Sequence, residues 1–342
     1  MSAPRLSFCI ATLNRAEFLA QTLDALIAQA TAEVEIVVVD GASTDHTPQV
    51  VAERQARFAR LRYLRLAQKG GVDQDYSRAV ALAQGEYCWL FSDDDLLKAG
   101  AVARVLQALP AGDDVIVVNA ECRDASLTQV VQARRLPIVG DRTYSPAENL
   151  WFFNDVVYYV SFIGALVIRR DLWESRDIEP YWGTAFVHIG ILFQRPLERT
   201  ARVIAEPLII IRLGNAEWSA RAFEIWILKW PALIWSFTHY PEAARAKVAA
   251  REPWRKLTTL LRYRARGAYS LGVYNKLLRP IIMPAWQCAG AWLIACLPEC
   301  VANIIGLLYY SLIRHSPIEL VDLRASRAYY RKCLARLFNG VW

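Results

Sequence analysis

Short apolar runs recur down the first third of the chain, each ending in polar residues and each followed by a stretch with helical spacing. The pattern predicts strands over 6–11, 35–40, 61–66, 87–92 and 115–120, with helices near 16–29, 47–58, 73–83 and 99–108. The β-branched run from Ile36 to Val39 fits a strand covered on both faces. Phe18, Leu19, Leu23, Leu26 and Ile27 fall on one face of a helix. Alternation of this kind argues an α/β class with a mostly parallel, Rossmann-like sheet and right-handed crossovers. From 121 to 160 the signal weakens to a loop and a helix opened by Ser145 and Pro146, an N-cap serine with proline at the first helical position. A short strand over 161–170, a helix near 184–194 and a strand over 202–212 follow, with no internal repeat.

Beyond residue 220 the pattern becomes helical and membrane-like. Residues 223–240 gather aromatic rings around Lys229 and Pro231, too charged and interrupted for a simple span. Residues 281–313 hold two apolar stretches separated by Pro298 and Glu299, each shorter than the roughly 20 residues a spanning helix needs. Lys276 and Arg279 lie on one side, Arg314 and His315 on the other. Because positive residues stay cytoplasmic, a re-entrant hairpin or two interfacial helices fit better than one span. The soluble alternative is a buried helical hairpin used to form a homo-oligomer. A last helix over 320–337, with Arg324, Arg327, Arg331, Lys332 and Arg336, would lie along anionic headgroups.

Charge divides the chain at the same place. Residues 1–215 hold 22 Lys and Arg against 26 Asp and Glu, whereas residues 216–342 hold 18 against 7, so the formal net charge of +7 belongs to the tail. A basic half raises nucleic acid as a partner. Eight of the 12 tryptophans also lie there, however, and Trp beside Lys and Arg is the composition of a membrane interface rather than of a nucleic-acid groove. The 7 cysteines form no CxxC pair and no zinc spacing, which reads as small buried hydrophobes in a reducing compartment. The amino terminus passes directly into the first strand without a charged leader and cleavage site, which predicts a cytoplasmic catalytic part.

Candidate chemistry concentrates at the strand ends. Asp93, Asp94 and Asp95 follow the apolar run 87–91, and like charges packed there repel unless a cation sits between them. A hard divalent ion held by one or two carboxylates and a substrate phosphate meets that need; an acidic turn capping a helix near Leu96 is the plainer alternative. Asp40 ends the second strand, where Gly41 permits a sharp turn, and Thr12 ends the first. In open α/β sheets ligands bind beside the carboxyl ends of strands. These three tips would form one crevice for a nucleobase, a ribose and a metal-bound diphosphate.

Residues 11–15 (Ala11, Thr12, Leu13, Asn14, Arg15), then 39–45, then Gly85, Glu86 and Tyr87 leading into Ser92–Asp95, resemble a family 2 glycosyltransferase of the GT-A fold. The resemblance covers roughly residues 1–215 as a catalytic domain, leaving 216–342 as a basic, Trp-rich helical region for membrane association or oligomerisation. It implies that Thr12 and Asp40 contact the nucleobase, with Asn14 and Arg15 in the same donor-binding tip, that Asp93 contacts the ribose, and that Asp94 holds Mn²⁺ or Mg²⁺ on the diphosphate. Asp95 is a second candidate ligand. The wording of residues 70–78 is similar to bacterial abequosyltransferase-like enzymes of O-antigen and polysaccharide assembly.

By the same resemblance the segment 70–83 lines the nucleotide crevice, with Asp73, Gln74 and Arg78 as donor-binding candidates; Asp75 and Arg78, three apart on a helix, otherwise read as a surface ion pair. Members of the family place an acid at the start of a helix behind the metal, but residues 182–190 contain none, leaving His188 as the candidate base, weighed against a structural histidine. After the last strand, Arg212 and Trp218 suit a lid over a diphosphate, or else a polar linker. The expected activity is metal-assisted transfer from a nucleotide-diphosphate sugar to a lipid-linked glycan at the cytoplasmic face of the bacterial inner membrane. The rivals are a nucleotidyltransferase acting on sugar phosphates and a non-enzymatic membrane-associated nucleotide-binding protein.

Overall fold

The structure, a computed structural model, describes residues 3–215, 220–281 and 283–331. Its strands are β1 (Leu6–Thr12), β2 (Val34–Asp40), β3 (Leu61–Arg65), β4 (Tyr87–Phe91), β5 (Leu96–Leu97), β6 (Val115–Arg123), β7 (Val130–Gln132), β8 (Arg142–Tyr144), β9 (Leu166–Arg169) and β10 (Ala201–Arg212). The helices between them are α1 (Ala16–Ile27), α2 (Thr47–Gln55), α3 (Val72–Leu82), α4 (Ala101–Ala108), α5 (Asn149–Val156), α6 (Arg170–Glu174) and α7 (Val187–Phe193). The main path of the sheet runs β3-β2-β1-β4-β9-β6-β10-β5.

β1 lies parallel to β2 and to β4, and β2 parallel to β3, so four carboxyl ends share one edge. Beyond these four strands the sheet is mixed rather than mostly parallel: β10 runs antiparallel to β5 and to β8, and β9 is reversed as well. β9 runs antiparallel to both β4 and β6, which leaves β6 pointing the same way as β1 to β4. The chain enters β9 through two 3-10 turns, Tyr159–Ser161 and Ile163–Ala165, rather than through the long crossover helix that a parallel strand requires. The expected strand over 161–170 is therefore shortened at its start. β5 and β8, two and three residues long, carry too few positions for a period to show.

Burial explains the elements. Every residue of β2 and β4 is buried, the signature of strands covered on both faces. Leu19, Leu23 and Leu26 of α1 form the stripe that packs on the sheet. Phe8 stacks on Trp89 with ring centroids 4.9 Å apart, and Phe91 meets Phe8 edge-on at 5.7 Å. The buried Trp89 indole satisfies its polar handle by donating to the Gly164 carbonyl at 2.8 Å.

The chain divides into two compact units. The first holds residues up to 122, 133–211 and 237–244; the second holds 123–132, 212–236 and the chain from 245 onward. Residues 123–132 thus group with the second unit and 237–244 with the first. In the second unit Phe223, Leu260, Tyr263, Tyr269 and Leu278 form an aromatic-rich core. The aromatic segment 223–240 holds a π-helix at Glu224–Lys229 running into an α-helix at Trp230–Ser236, the wider turn falling just before Pro231, which has no N–H to donate. Helices Ala285–Cys296 and Glu299–Leu312 meet at a 99° bend, and among the described residues no single helix is long and apolar enough to cross a membrane. Arg264 pins that bend: it donates to the Leu297 carbonyl at 2.6 Å and pairs with Glu299 at 3.1 Å. The final helix is Pro317–Ala325; Lys332 and Arg336 lie outside the described residues.

Gly85 shows how tightly the sheet edge opposite the strand tips is closed. A methyl group there would stand 2.6 Å from Ser7 Oγ and 2.8 Å from the Ser7 amide nitrogen. Gly85→Ala is expected to lower stability by about 1–3 kcal/mol, read from the urea midpoint; an unchanged midpoint contradicts this packing.

Candidate active site

The strand tips converge as a bonded set. Thr12 and Asp40 are register partners at the ends of β1 and β2, and the Gly41 amide donates to the Thr12 carbonyl at 2.9 Å. Thr12 Oγ1 donates to Asp93 Oδ2 at 2.7 Å, which ties the end of β1 to the turn after β4. Asp40 is fully buried: Oδ1 accepts from the Ser43 amide at 2.7 Å and Oδ2 from the Tyr63 hydroxyl at 2.6 Å. Arg65, its register partner on β3, stands 3.9 Å from the same oxygen.

The cation between the aspartates is a guanidinium. Arg15 Nε donates to Asp93 Oδ1 at 3.0 Å while its NH2 group pairs with Asp94 Oδ2. Ser92 Oγ donates to the other Asp94 oxygen. Asn14 makes this reach possible, adopting a left-handed φ of 56° so that the chain turns out of β1 into α1. Its side-chain oxygen also accepts from the Thr44 amide at 2.7 Å, clamping the first tip to the second. Asp95 is 3% exposed, and its carbonyl accepts from Thr22 Oγ1 at 2.9 Å, whereas the Asp94 side chain keeps 15% of its surface open. Asp94 is thus the more accessible of the two candidate metal ligands. Among the described residues no three His, Cys, Asp or Glu side chains are grouped to hold a metal by themselves. The partly exposed Asp94 carboxylate fits Mg²⁺ or Mn²⁺, which take one or two carboxylates and complete their oxygen shell with water and substrate phosphates.

The first turn of α3 carries two buried acids in opposite circumstances. Asp73 accepts from the Ala185 amide at 2.8 Å and from the Val187 amide at 3.0 Å, so it holds the turn into α7, where Ala185 is kept at a left-handed φ of 70°. Asp75, which the spacing reads as half of a surface ion pair, is 6% exposed, and its Oδ1 has no hydrogen-bond partner. Arg78 NH1 stands 3.8 Å away, too far for a hydrogen bond. Burial pushes the Asp75 pKa up to about 6; the charges of Arg78 and Lys69 pull against this and that of Asp40 adds to it. Gln74 is half-buried, its Oε1 3.1 Å from where a methyl on Gly70 would sit.

Two further candidates turn out to be engaged elsewhere. His188 is buried, and its Nε2 donates to the Val160 carbonyl at 3.0 Å. Burial pushes its pKa down to about 4 against the carbonyls of Val160 and Ser161, so the ring is neutral and held as a structural hydrogen-bonder rather than poised as a base. Arg212 is buried, and its NH1 donates to the Ala125 carbonyl at 2.9 Å, the geometry of a structural arginine rather than of an open lid. Trp218 lies outside the described residues. The spacing missed Asp75, Tyr63 and Ser92 as members of the site, although a Tyr at the middle of an edge strand facing an acidic tip was there to be read.

Residues 7–174 match the Glycosyl transferase family 2 family, and the chain is a glycosyltransferase built on that domain. It is 27% identical over 230 residues to abequosyltransferase RfbV of Salmonella typhimurium, covering 61% of this chain and 67% of that protein. S. aureus TarS 1–349 in complex with UDP-GlcNAc has a similar fold, with a TM-score of 0.56 at 17% identity, over 98% of this chain and 92% of that one. Mannosyltransferase PcManGT from Pyrobaculum calidifontis, solved with GDP-Man and Mn²⁺, gives a TM-score of 0.52 at 18% identity, over 99% and 88% of the two chains.

The Asp75 carboxyl yields a pH signature. Its folded pKa lies above the ordinary 3.8, so the folded state binds the proton more tightly, and stability from this group is present at low pH and lost as pH rises towards about 6. Melting curves of wild type and Asp75→Asn should therefore diverge in favour of the variant from pH 4 to pH 6 and run parallel above. A difference that does not vary with pH contradicts an ionising, unpartnered carboxyl.

Proposed function

We propose that this glycosyltransferase moves a sugar from a nucleotide-diphosphate donor to a lipid-linked glycan at the cytoplasmic face of the bacterial inner membrane, assisted by Mn²⁺ or Mg²⁺. The observation that carries the donor reading is the bonded junction of Thr12, Asp40 and Asp93 at the ends of three parallel strands. That edge of an α/β sheet is where a nucleotide binds. In this reading Asp40 and Thr12 flank the base, Asp93 faces the ribose, and Arg15 and Asn14 hold the tip that carries them. Asp94 would hold the ion, which when bound supplies charge to stabilise the departing diphosphate. Arg15 orients the Asp94 carboxylate until the donor arrives.

The acceptor reading is supported by the second unit. Trp286, Trp292, Leu293, Leu308, Leu312 and Ile313 expose apolar surface on the bent helix pair, in a region that is strongly basic. Large aromatic and aliphatic groups left in water beside Arg and Lys suit an interface with anionic lipid.

Asp94→Asn is expected to cut sugar transfer by on the order of 100-fold or more while leaving the melting temperature close to that of wild type. Full turnover in this variant would falsify the role of Asp94. The membrane reading has its own measurement: the double substitution Trp286→Ser and Leu293→Ser should release the full-length protein from sedimenting phosphatidylglycerol vesicles. Undiminished sedimentation speaks against an interfacial helix pair.

A further inference from the structure

Arg15 meets two carboxylates with two different nitrogens of one side chain. Its Nε donates to Asp93 Oδ1 at 3.0 Å, and its NH2 group pairs with Asp94 Oδ2. The Phe18 ring packs on the guanidinium, its centroid 4.8 Å from the central carbon. All three charged side chains are nearly enclosed. Both oxygens of Asp93 are committed within the fold, since Thr12 Oγ1 donates to the second one at 2.7 Å. On Asp94 the other oxygen accepts from the Ser92 hydroxyl. A divalent ion coming to Asp94 therefore meets a neutral hydroxyl that can rotate on one oxygen and a fixed positive charge on the other.

We propose that Arg15 is a placeholder cation: it competes with the divalent ion for Asp94 and, when the donor binds, passes its outer nitrogen from Asp94 to the donor's diphosphate, so that ion and donor enter together. The inference rests on the donor reading above and adds an order of events to it. A guanidinium and a doubly charged ion beside one carboxylate repel each other, and in a nearly closed site water screens them little. A diphosphate removes the conflict, because it brings negative charge for both cations and offers oxygens in the geometry that a planar guanidinium fits. The arginine need not leave the site. Nε stays on Asp93 and the guanidinium stays on Phe18, so the exchange is a change of partner at one end of the group. Coupling of this kind is reciprocal: the obstacle that Arg15 sets against the ion alone returns as the donor's help to the ion.

The test compares the full chain with its Arg15→Gln variant, in which a neutral amide replaces the charge. Binding of Mn²⁺ alone is read from the electron paramagnetic resonance signal of the free ion, and binding of UDP, GDP, CDP, ADP and dTDP is read by calorimetry at saturating Mn²⁺. Arg15→Gln is expected to bind Mn²⁺ alone ~10-fold more tightly than wild type, and to bind the nucleotide that wild type prefers ~10-fold more weakly. The opposite signs are the signature, because an arginine that only held the turn together would weaken both on removal. Binding of Mn²⁺ to the variant that is no tighter than to wild type overturns the exchange while leaving the donor site standing. So does nucleotide binding that the variant keeps in full. Failure of all five nucleotides to bind wild type removes the donor reading and this inference together. Should Arg15→Gln not fold, Arg15→Lys decides by the same measurements. One ammonium cannot bridge both carboxylates as the guanidinium does, so Mn²⁺ alone should again bind more tightly than to wild type, and equal or weaker binding overturns the exchange.

Discussion

The site depends on holding several carboxylates close together without letting their charges drive the strand ends apart. Parallel strands deliver their carboxyl ends to one edge of a sheet, and here that edge receives Asp40, Asp93 and Asp94. Arg15 resolves the conflict after β4 by placing one planar guanidinium against both Asp93 and Asp94. Thr12 fixes the remaining oxygen of Asp93 from the side. Arg15 is itself positioned twice over, by the left-handed turn at Asn14 and by the Phe18 ring, whose centroid is 4.8 Å from the guanidinium carbon. Without Arg15 the two carboxylates would face each other with no cation between them. The β1 turn and the acidic turn therefore stand or fall as one element.

The same economy separates the two acids of α3. Asp73 is satisfied by amides at the entry to α7, where it stabilises a backbone conformation that a non-glycine residue adopts reluctantly. Asp75, two residues on and equally buried, has no such donor and carries a raised pKa as the consequence. A helix of eleven residues thus spends one carboxylate on structure and keeps another in reserve beside the strand tips. Histidine at 188 follows the first pattern: its hydrogen bond and its burial make it part of the core that carries α7.

The second unit obeys a different rule. Its sharp bend at Leu297 and Pro298 is stabilised by a buried arginine that satisfies the last carbonyl of one helix and the first acid of the next. Asn303 does comparable work, donating to the Ala265 and Leu323 carbonyls near the ends of two other helices. Polar side chains face inward at these breaks while tryptophan, leucine and isoleucine face outward. The exposed apolar groups, not the buried polar ones, are the ground of the interfacial reading proposed for this region.

How much of this was legible beforehand follows from the range of the forces involved. Period, burial and turn chemistry act over a few residues, so the strands β1 to β4, the helices α1 to α4, and the polar tips at Thr12, Asp40 and Asp93 could be read directly from the order of side chains. The break at Pro298 was legible for the same reason. What depends on residues far apart in the chain was not. That Arg15 stands between Asp93 and Asp94, that Asp73 serves amides more than a hundred positions away, and that Asp75 is buried beside Gly41 rather than paired at the surface are outcomes of packing. The spacing of Asp75 and Arg78 is the same on a solvated helix and on one pressed against a sheet, and only the neighbours supplied by other strands decide which of the two it is.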